Sequence, residues 1–316
     1  MVSLLELTQL GKTYQTATGP AVIVCDFNLL VGRGEFVCII GHSGCGKSTV
    51  LSILMGLNEA THGGVILAGK EVTGPGTDRG VAFQSPALLP WMTARENVLL
   101  AVEQVKGHLD KGERRRLADG YLKLVGLDEV AESYPDVLSA GMRQRAGLAR
   151  AFALEPKLLL LDEPFSLLDA MTRMELQEEL MRLWEKDRKT VVMVTHDVDE
   201  ALLLSDRIVM MTSGPAATVG QILQVPFPRP RKRTRLVDHP DYYRMRDQVL
   251  SFLDAQGSSA TLTDPMDEAP FDPYLGESEQ TKVKRPPLVS AEELQIVEKY
   301  TGLNRFRLRY RQGRTL

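Results

Sequence analysis

The chain has 316 residues, 43% of them hydrophobic, and a formal net charge of −3. That is room for one large domain with an appendage, or for two domains, with enough apolar residues for a substantial core; the near-even charge balance argues against a general nucleic-acid binder. No run of 18 apolar residues occurs, so no helix is expected to span a bilayer. The start, Met1 to Glu6, shows no secretion signal, and three cysteines without C-x-x-C spacing fit a reducing cytosol.

Residues 1 to 31 alternate apolar and polar side chains between turn signals at Gly11-Lys12 and Thr18-Gly19-Pro20, which predicts short antiparallel strands. Within them Tyr14 is either a strand-edge tyrosine or an aromatic that stacks on an adenine ring. The apolar run Phe36 to Ile40 leads into Gly41-His42-Ser43-Gly44-Cys45-Gly46-Lys47-Ser48-Thr49 and then Val50 to Leu54. That order reads strand, glycine-rich loop, helix, and it matches G-x-x-x-x-G-K-[ST], the phosphate-binding loop. Gly41, Ser43, Gly44, Cys45 and Gly46 let the backbone turn its N–H groups towards phosphate oxygens, and the new helix adds its positive end. Lys47 then reaches the β- and γ-phosphates, Ser48 holds Mg²⁺, and Thr49 continues the nucleotide-binding stretch. Cys38 reads as core filling in a strand. Cys45 lies near a helix N-terminus, where thiol pKa values fall, and is expected to be reactive without being catalytic.

Further along, Thr61 to Lys70 reads as a turn into a strand, Thr73 to Gly80 as a glycine-proline loop, and Val81 to Gln84 as a strand with Gln84 at its end. Gln84 is either a solvated glutamine or an amide that ligates Mg²⁺ and senses the γ-phosphate. Ser85 to Met92 is apolar yet broken by two prolines, as expected of a partner surface. From Thr93 to about Tyr134 the apolar spacing is helical, with Lys106 to Arg116 as a solvated face and loop. Leu138-Ser139-Ala140-Gly141-Met142 opens another helix, where Ser139 can cap and the same turn can bind an anion.

Leu158 to Leu161 is an unbroken apolar strand ending in Asp162-Glu163, as in the centre of a parallel sheet. Ligands sit at that end of such strands, so Asp162 can reach Mg²⁺ and Glu163 can polarise a water for in-line attack on the γ-phosphate. Ser166 to Asp169 follows, then an amphipathic helix through Trp184. A third buried strand, Thr190 to Thr195, delivers His196, which by itself reads as a satisfied core histidine and, with three strand ends at one edge, as a γ-phosphate switch.

From about Leu4 to Leu253 these residues resemble the ATP-binding subunit of an ABC transporter. The resemblance implies an α/β fold: a P-loop, RecA-like ATPase core with an antiparallel β subdomain and an α-helical subdomain, plus a C-terminal extension. It divides the chain into a cassette at 1–225, with the helical part at about 90–152, a proline- and arginine-rich stretch with a helix at 226–256, and a linker and basic extension at 257–316. It also supplies roles. Gly41 to Thr49 is similar to Walker A, Leu158 to Asp162 to Walker B with Glu163 as catalytic base, and Tyr14 to the adenine-stacking aromatic. Gln84 matches the Q-loop, Ser166 to Asp169 the D-loop, and His196 the H-switch. Ser139, Ala140, Gly141 and Met142 match the signature motif, which serves the site of a partner subunit. The usual pattern there is L-S-G-G-Q, so Ala140 and Met142 depart from it, which implies a working but weakened half-site.

Within the family, Gly74 to Gly80 with Leu88 to Thr93, and Val225 to Arg231, resemble the nitrate, sulfonate and taurine importer group. This implies uptake of nitrate or a similar small oxyanion, with sulfonates or taurine next, powered by MgATP. The implied partners are a membrane permease, a second ATPase subunit in a homo- or heterodimer, and, indirectly, a periplasmic or lipid-anchored solute-binding protein, without nucleic acid. The implied place is the cytoplasmic face of the inner membrane. A soluble ABC ATPase serving DNA repair or the ribosome is the alternative of another class; such proteins join two cassettes or carry long coiled coils, and this chain has one cassette and no sustained heptads. Past about Gln256 the resemblance stops. Ser258 to Pro287 reads as a linker, Ser290 to Glu293 as a capping box before a short helix, and Arg305 to Arg311 alternates arginine with apolar residues, either a disordered basic end or a docking segment.

Overall fold

The structure is a computed structural model that describes residues 3–17 and 19–260. The strand run Phe36–Ile40 (β3) lies in a six-stranded sheet with Arg79–Ala82 (β6), Leu158–Asp162 (β7), Thr190–Val194 (β8), Arg207–Met211 (β9) and Val219–Gln224 (β10), in the order β10-β9-β3-β8-β7-β6. Strands β9, β3, β8, β7 and β6 pair in parallel, and β10 closes one edge antiparallel. Every residue of β3, β7 and β8 is buried, which is why these strands read as unbroken apolar runs. Side chains alternate between faces: Phe36, Cys38 and Ile40 join one apolar cluster, Val37 and Ile39 the other.

A second sheet is antiparallel, ordered Gly19–Gly32 (β2), Ser3–Thr16 (β1), His62–Leu67 (β4) and Lys70–Glu71 (β5). Its two first strands are not short, since each runs 14 residues. The Gly11-Lys12 signal marks no turn. The β1–β2 register shifts between Leu7 and Leu10, Leu10 and Lys12, and Lys12 and Thr13, so bulges absorb the broken alternation and the strand continues.

Between β6 and β7 stand three helices, Ala94–Val105 (α2), Lys111–Leu124 (α3) and Ala140–Ala153 (α4), with their own apolar cluster around Val98, Leu122 and Ala149. Of Lys106 to Arg116, expected as a solvated face and loop, Lys111 to Arg116 open α3 and are exposed or half-buried there. Asp110 and Glu113 form a capping box there, a D-x-x-E signal that outweighs the high charge. The proline-broken loop Ser85 to Met92 is tied to these helices from below. Arg150 donates to the carbonyls of Ala87 (2.9 Å) and Pro86 (3.1 Å), and the buried Asn97 side chain bonds the Leu89, Met92 and Thr93 carbonyls. Burial pushes the Arg150 guanidinium down to about 10.

Helices Lys47–Met55 (α1), Ala170–Asp187 (α5), Val198–Leu204 (α6), Arg233–Val237 (α7) and Pro240–Ala260 (α8), with a short 3-10 helix at Pro135–Val137, complete the described elements. The proline-arginine stretch fastens them. Arg231 donates to the Leu202 and Leu203 carbonyls, each at 3.2 Å, and to the Ser205 carbonyl, closing the C-terminal end of α6. Arg229 lies over the Trp184 ring at 4.2 Å and pairs with Asp206. No described helix is long and apolar enough to cross a membrane. Of the stretch expected to be a linker and basic extension, residues 257–260 continue α8; the short helix from Ser290 and the alternating Arg305 to Arg311 lie outside the described residues.

Candidate functional site

The parallel register places four chain segments side by side at one sheet edge. Ile39 pairs with Val194, Val194 with Asp162, and Leu161 with Ala82. The phosphate loop leaving β3, Thr195-His196 leaving β8, Asp162-Glu163 at the end of β7 and Gln84 just past β6 therefore stand in a row, about 4.8 Å per strand. That is the carboxyl edge, where open α/β sheets bind ligands.

The loop Gly41 to Thr49 is closely built. Gly46 has φ +97° and caps α1, a backbone form side chains resist, and a Cβ there would come 2.9 Å from Val24. Gly41 is buried, Ser43 and Gly44 are exposed at the tip, Ser48 is half-buried in the first turn of α1, and Thr49 is buried. The Lys47 ammonium, only 6% exposed, donates to the Gly41 and His42 carbonyls, each at 2.8 Å. A lysine bonded across its own loop holds the loop's curvature and keeps a positive charge at its mouth. Cys45 corrects the expectation of a reactive thiol: it is buried, and burial pushes its pKa up, outweighing the Lys47 charge and the backbone N–H groups that pull it down. Cys25 is the exposed cysteine.

Asp162 is 5% exposed at the end of β7. Glu163 follows with φ +42°, the left-handed region, which strains a glutamate by about 1–2 kcal/mol. Three bonds hold it there. Its N–H donates to the Val194 carbonyl (3.0 Å), and its own carbonyl accepts from the Ser166 N–H (3.2 Å) and hydroxyl (3.0 Å). The turn aims the carboxylate at His196, whose Nδ1 is 3.2 Å from Glu163 Oε2; the imidazole is 63% exposed, so it is no core histidine. Gln84 lies two residues beyond the strand it was expected to end, and its Nε2 donates to Ser166 Oγ at 3.1 Å. Ser166 thus joins Gln84 to the strained Glu163 turn. Sequence placed Ser166 in a motif but offered no signal of this bridge, which spans 82 positions.

Other expected residues sit further out. Tyr14 is 8% exposed, and the Lys12 ammonium lies 4.7 Å from its ring centroid, so a cation covers one face. Asp169 caps α5, accepting from the Met171 (3.1 Å) and Thr172 (3.0 Å) N–H groups, and these bonds, with the Thr172 side chain foremost, hold its pKa below the usual carboxylate value. Ser139 caps α4 through the Met142 N–H at 3.2 Å. Ala140 and Met142 are exposed, whereas Gly141 is buried where a Cβ would come 2.5 Å from Thr172 of α5.

Nucleotide and Mg²⁺ fit this edge. Among the described residues no group of three His, Cys, Asp or Glu side chains is placed to hold a metal. A hydroxyl, an amide and one buried carboxylate, from Ser48, Gln84 and Asp162, are hard oxygen donors of the kind a Mg²⁺ uses when phosphates and waters complete its shell.

The family model described as "ABC transporter" matches residues 24–166. The chain is 53% identical over 243 residues to the nitrate import ATP-binding protein NrtD of Synechococcus elongatus, covering 77% of this chain and 89% of that protein. It is also 53% identical over 243 residues to the bicarbonate transport ATP-binding protein CmpD of the same organism, covering 77% and 87%. Among solved structures, the dimeric ATP-binding cassette MJ0796 bound to ADP and Pi superposes with a TM-score of 0.64 at 34% identity, over 71% of this chain and 100% of that one.

Proposed function

The chain belongs to the ABC transporter family, and from that membership we propose that it is the ATP-hydrolysing subunit of an importer for a small oxyanion of nitrate type. The observation that supports this reading best is the single sheet edge that carries the Lys47 loop, Asp162-Glu163, Gln84 and His196, combined with the relatives' identity. Nitrate and bicarbonate are both planar oxyanions, and the two relatives named for them match equally well, so bicarbonate is the second reading.

In this mechanism the loop amides and Lys47 grip the β- and γ-phosphates. Ser48, Gln84 and Asp162 would hold a Mg²⁺, which would supply neutralisation of phosphate charge. Glu163 takes a proton from the attacking water as oxygen bonds to the γ-phosphorus and the bond to ADP breaks. His196 steadies that carboxylate through Nδ1. Ser166 keeps the Glu163 turn in place and reports, through its bond to Gln84, on the loop that faces a permease. Tyr14 stacks on adenine once Lys12 leaves its ring. Ser139 to Met142 serve the site of a second ATPase subunit, since a head-to-tail pair closes around two nucleotides. The chain works as a peripheral subunit at the cytoplasmic face of the membrane.

The test pairs chemistry with solute. Glu163→Gln should bind MgATP as the parent does while hydrolysis falls about a thousandfold; cells carrying it in place of the parent should lose nitrate uptake. Undiminished hydrolysis would remove Glu163 from its role, and unchanged nitrate uptake with lost bicarbonate uptake would select the second reading.

A further inference from the structure

Helix α8 touches two of the loops that meet at the catalytic edge. Near its C-terminal end, His42 of the phosphate loop donates from Nε2 to the Leu253 carbonyl at 2.6 Å. A carbonyl only accepts, so that nitrogen carries the proton. A Cβ at Gly257 would lie 3.2 Å from the same imidazole, so the helix runs close against it. Gln256 fixes this end further, accepting from the Ser213 N–H through Oε1 and from the Ser213 hydroxyl through its carbonyl, each at 3.1 Å. Near the other end, the Tyr242 hydroxyl (2.7 Å) and Arg246 Nε (2.9 Å) both donate to Asp199 Oδ1. Asp199 sits in the first turn of α6, directly after the loop that presents His196.

Between these ends the helix cannot slide. Tyr242, Met245 and Val249 are buried in the core, and the Phe252 ring packs where a Cβ on Gly220 of β10 would meet it at 2.5 Å. From Tyr242 to Leu253 the helix is continuous, about 16 Å at the usual rise.

We propose that α8 is a strut that sets the phosphate loop against the histidine loop, with His42 and Asp199 as the positioning residues at its two ends. The chemistry requires this. The phosphate loop places the γ-phosphate, the His196–Glu163 pair places the water, and small misplacements between such groups cost large factors in rate. Neither anchor touches the reacting atoms. The inference rests on the reading of the edge as an ATP hydrolysis site.

The experiment is a double-variant cycle on the full-length chain with His42→Ala, Asp199→Ala, which removes the acceptor of both Tyr242 and Arg246, and both together, measuring steady-state hydrolysis against MgATP concentration. Each single change should lower kcat roughly tenfold, since either end freed frees the whole alignment. Affinity for ATP should stay within about twofold, because Lys47 and the loop amides remain. The double variant should be no slower than the slower single one. Sites about 16 Å apart that act independently add in free energy, so a double variant showing the product of the two losses would overturn the strut. Wild-type kcat in either single variant would overturn it too. His42→Gln, whose amide can donate to the same carbonyl, should restore kcat; a structural defect elsewhere would not be rescued. If His42→Ala does not fold, His42→Asn, too short to reach Leu253, takes its place. A parent chain that binds but never hydrolyses ATP would instead sink the functional reading itself.

Discussion

Cys45 shows how a motif position and its chemistry part company. Its place beside a helix N-terminus and Lys47 favours a thiolate, yet the thiol is buried against Gly41, and desolvation wins. A maleimide at pH 7.5 should therefore label Cys25, exposed on β2, and leave Cys45 and Cys38 intact. Cys25→Ser should abolish labelling of the native chain, as read by intact mass; a remaining adduct on Cys45 would show that the loop opens far more than its packing indicates. The residues proposed for the hydrolytic chemistry, Lys47, Ser48, Asp162 and Glu163, stand out in the sequence because phosphate or water would demand each type, and the structure brings their segments to one sheet edge. What sequence hid was their support. His42 meets Leu253 across 211 positions, and no local pattern announces a bond between a loop and a helix that the chain reaches so much later. From sequence Tyr14 reads as a strand-edge tyrosine or an adenine-stacking one, and the structure adds a competitor for its ring, Lys12, two residues away.

At the scale of elements, the parallel strands were legible from unbroken apolar runs, because a strand covered on both faces has no polar side to show. The long hairpin was not. Bulges between Leu7 and Thr13 scramble the two-residue period by which strands are read. Helix α6 carries a contact of another kind. Its Glu200 is buried, with one carboxylate oxygen accepting from Thr195 Oγ1 (2.7 Å) and the other from Gln177 Nε2 (2.9 Å), and Gln177 accepts in turn from Arg233. Burial raises the Glu200 pKa above the ordinary 4.5, and the Thr195 bond offsets this only in part. An acid whose folded value is raised gives its stability when protonated, below the unfolded value, and loses it as pH rises through the folded one. Glu200→Gln keeps one oxygen to accept from Gln177 and turns the other contact round, its amide donating to Thr195 Oγ1, without a buried charge. It should therefore raise the melting temperature at pH 8, with the gain shrinking towards pH 4. A lower melting temperature at pH 8 would mean that the carboxylate gains more from Thr195, Gln177 and the Arg173 charge than burial costs it.

For the whole molecule, the open question is what closes over the phosphate loop. The N-terminal turns of α4 and α5 and the segment before α5 leave apolar side chains in solvent: Met142 is 37% exposed, Met171 66% and Leu167 63%. Exposed methionines and leucines next to a capped helix start suit a surface that packs only part of the time. In the head-to-tail pair proposed above, that start, with Ser139, would face the partner's nucleotide. Binding ATP without hydrolysing it should then trap the pair. Purified Glu163→Gln, given MgATP, should move from 35.1 kDa towards twice that mass in sedimentation velocity, and ADP should leave it as single chains. Ser139→Ala removes one cap, about 1 kcal/mol of helix stability, so the chain should stay folded and still bind ATP, yet lose the ATP-dependent mass change. Ala140→Gly, which returns the motif towards the usual family pattern, should instead strengthen pairing. A chain that binds MgATP and stays monomeric at every concentration would show that a second copy is the wrong partner. The phosphate loop would then be completed by a different ATPase subunit, whose signature motif need not share the alanine found here.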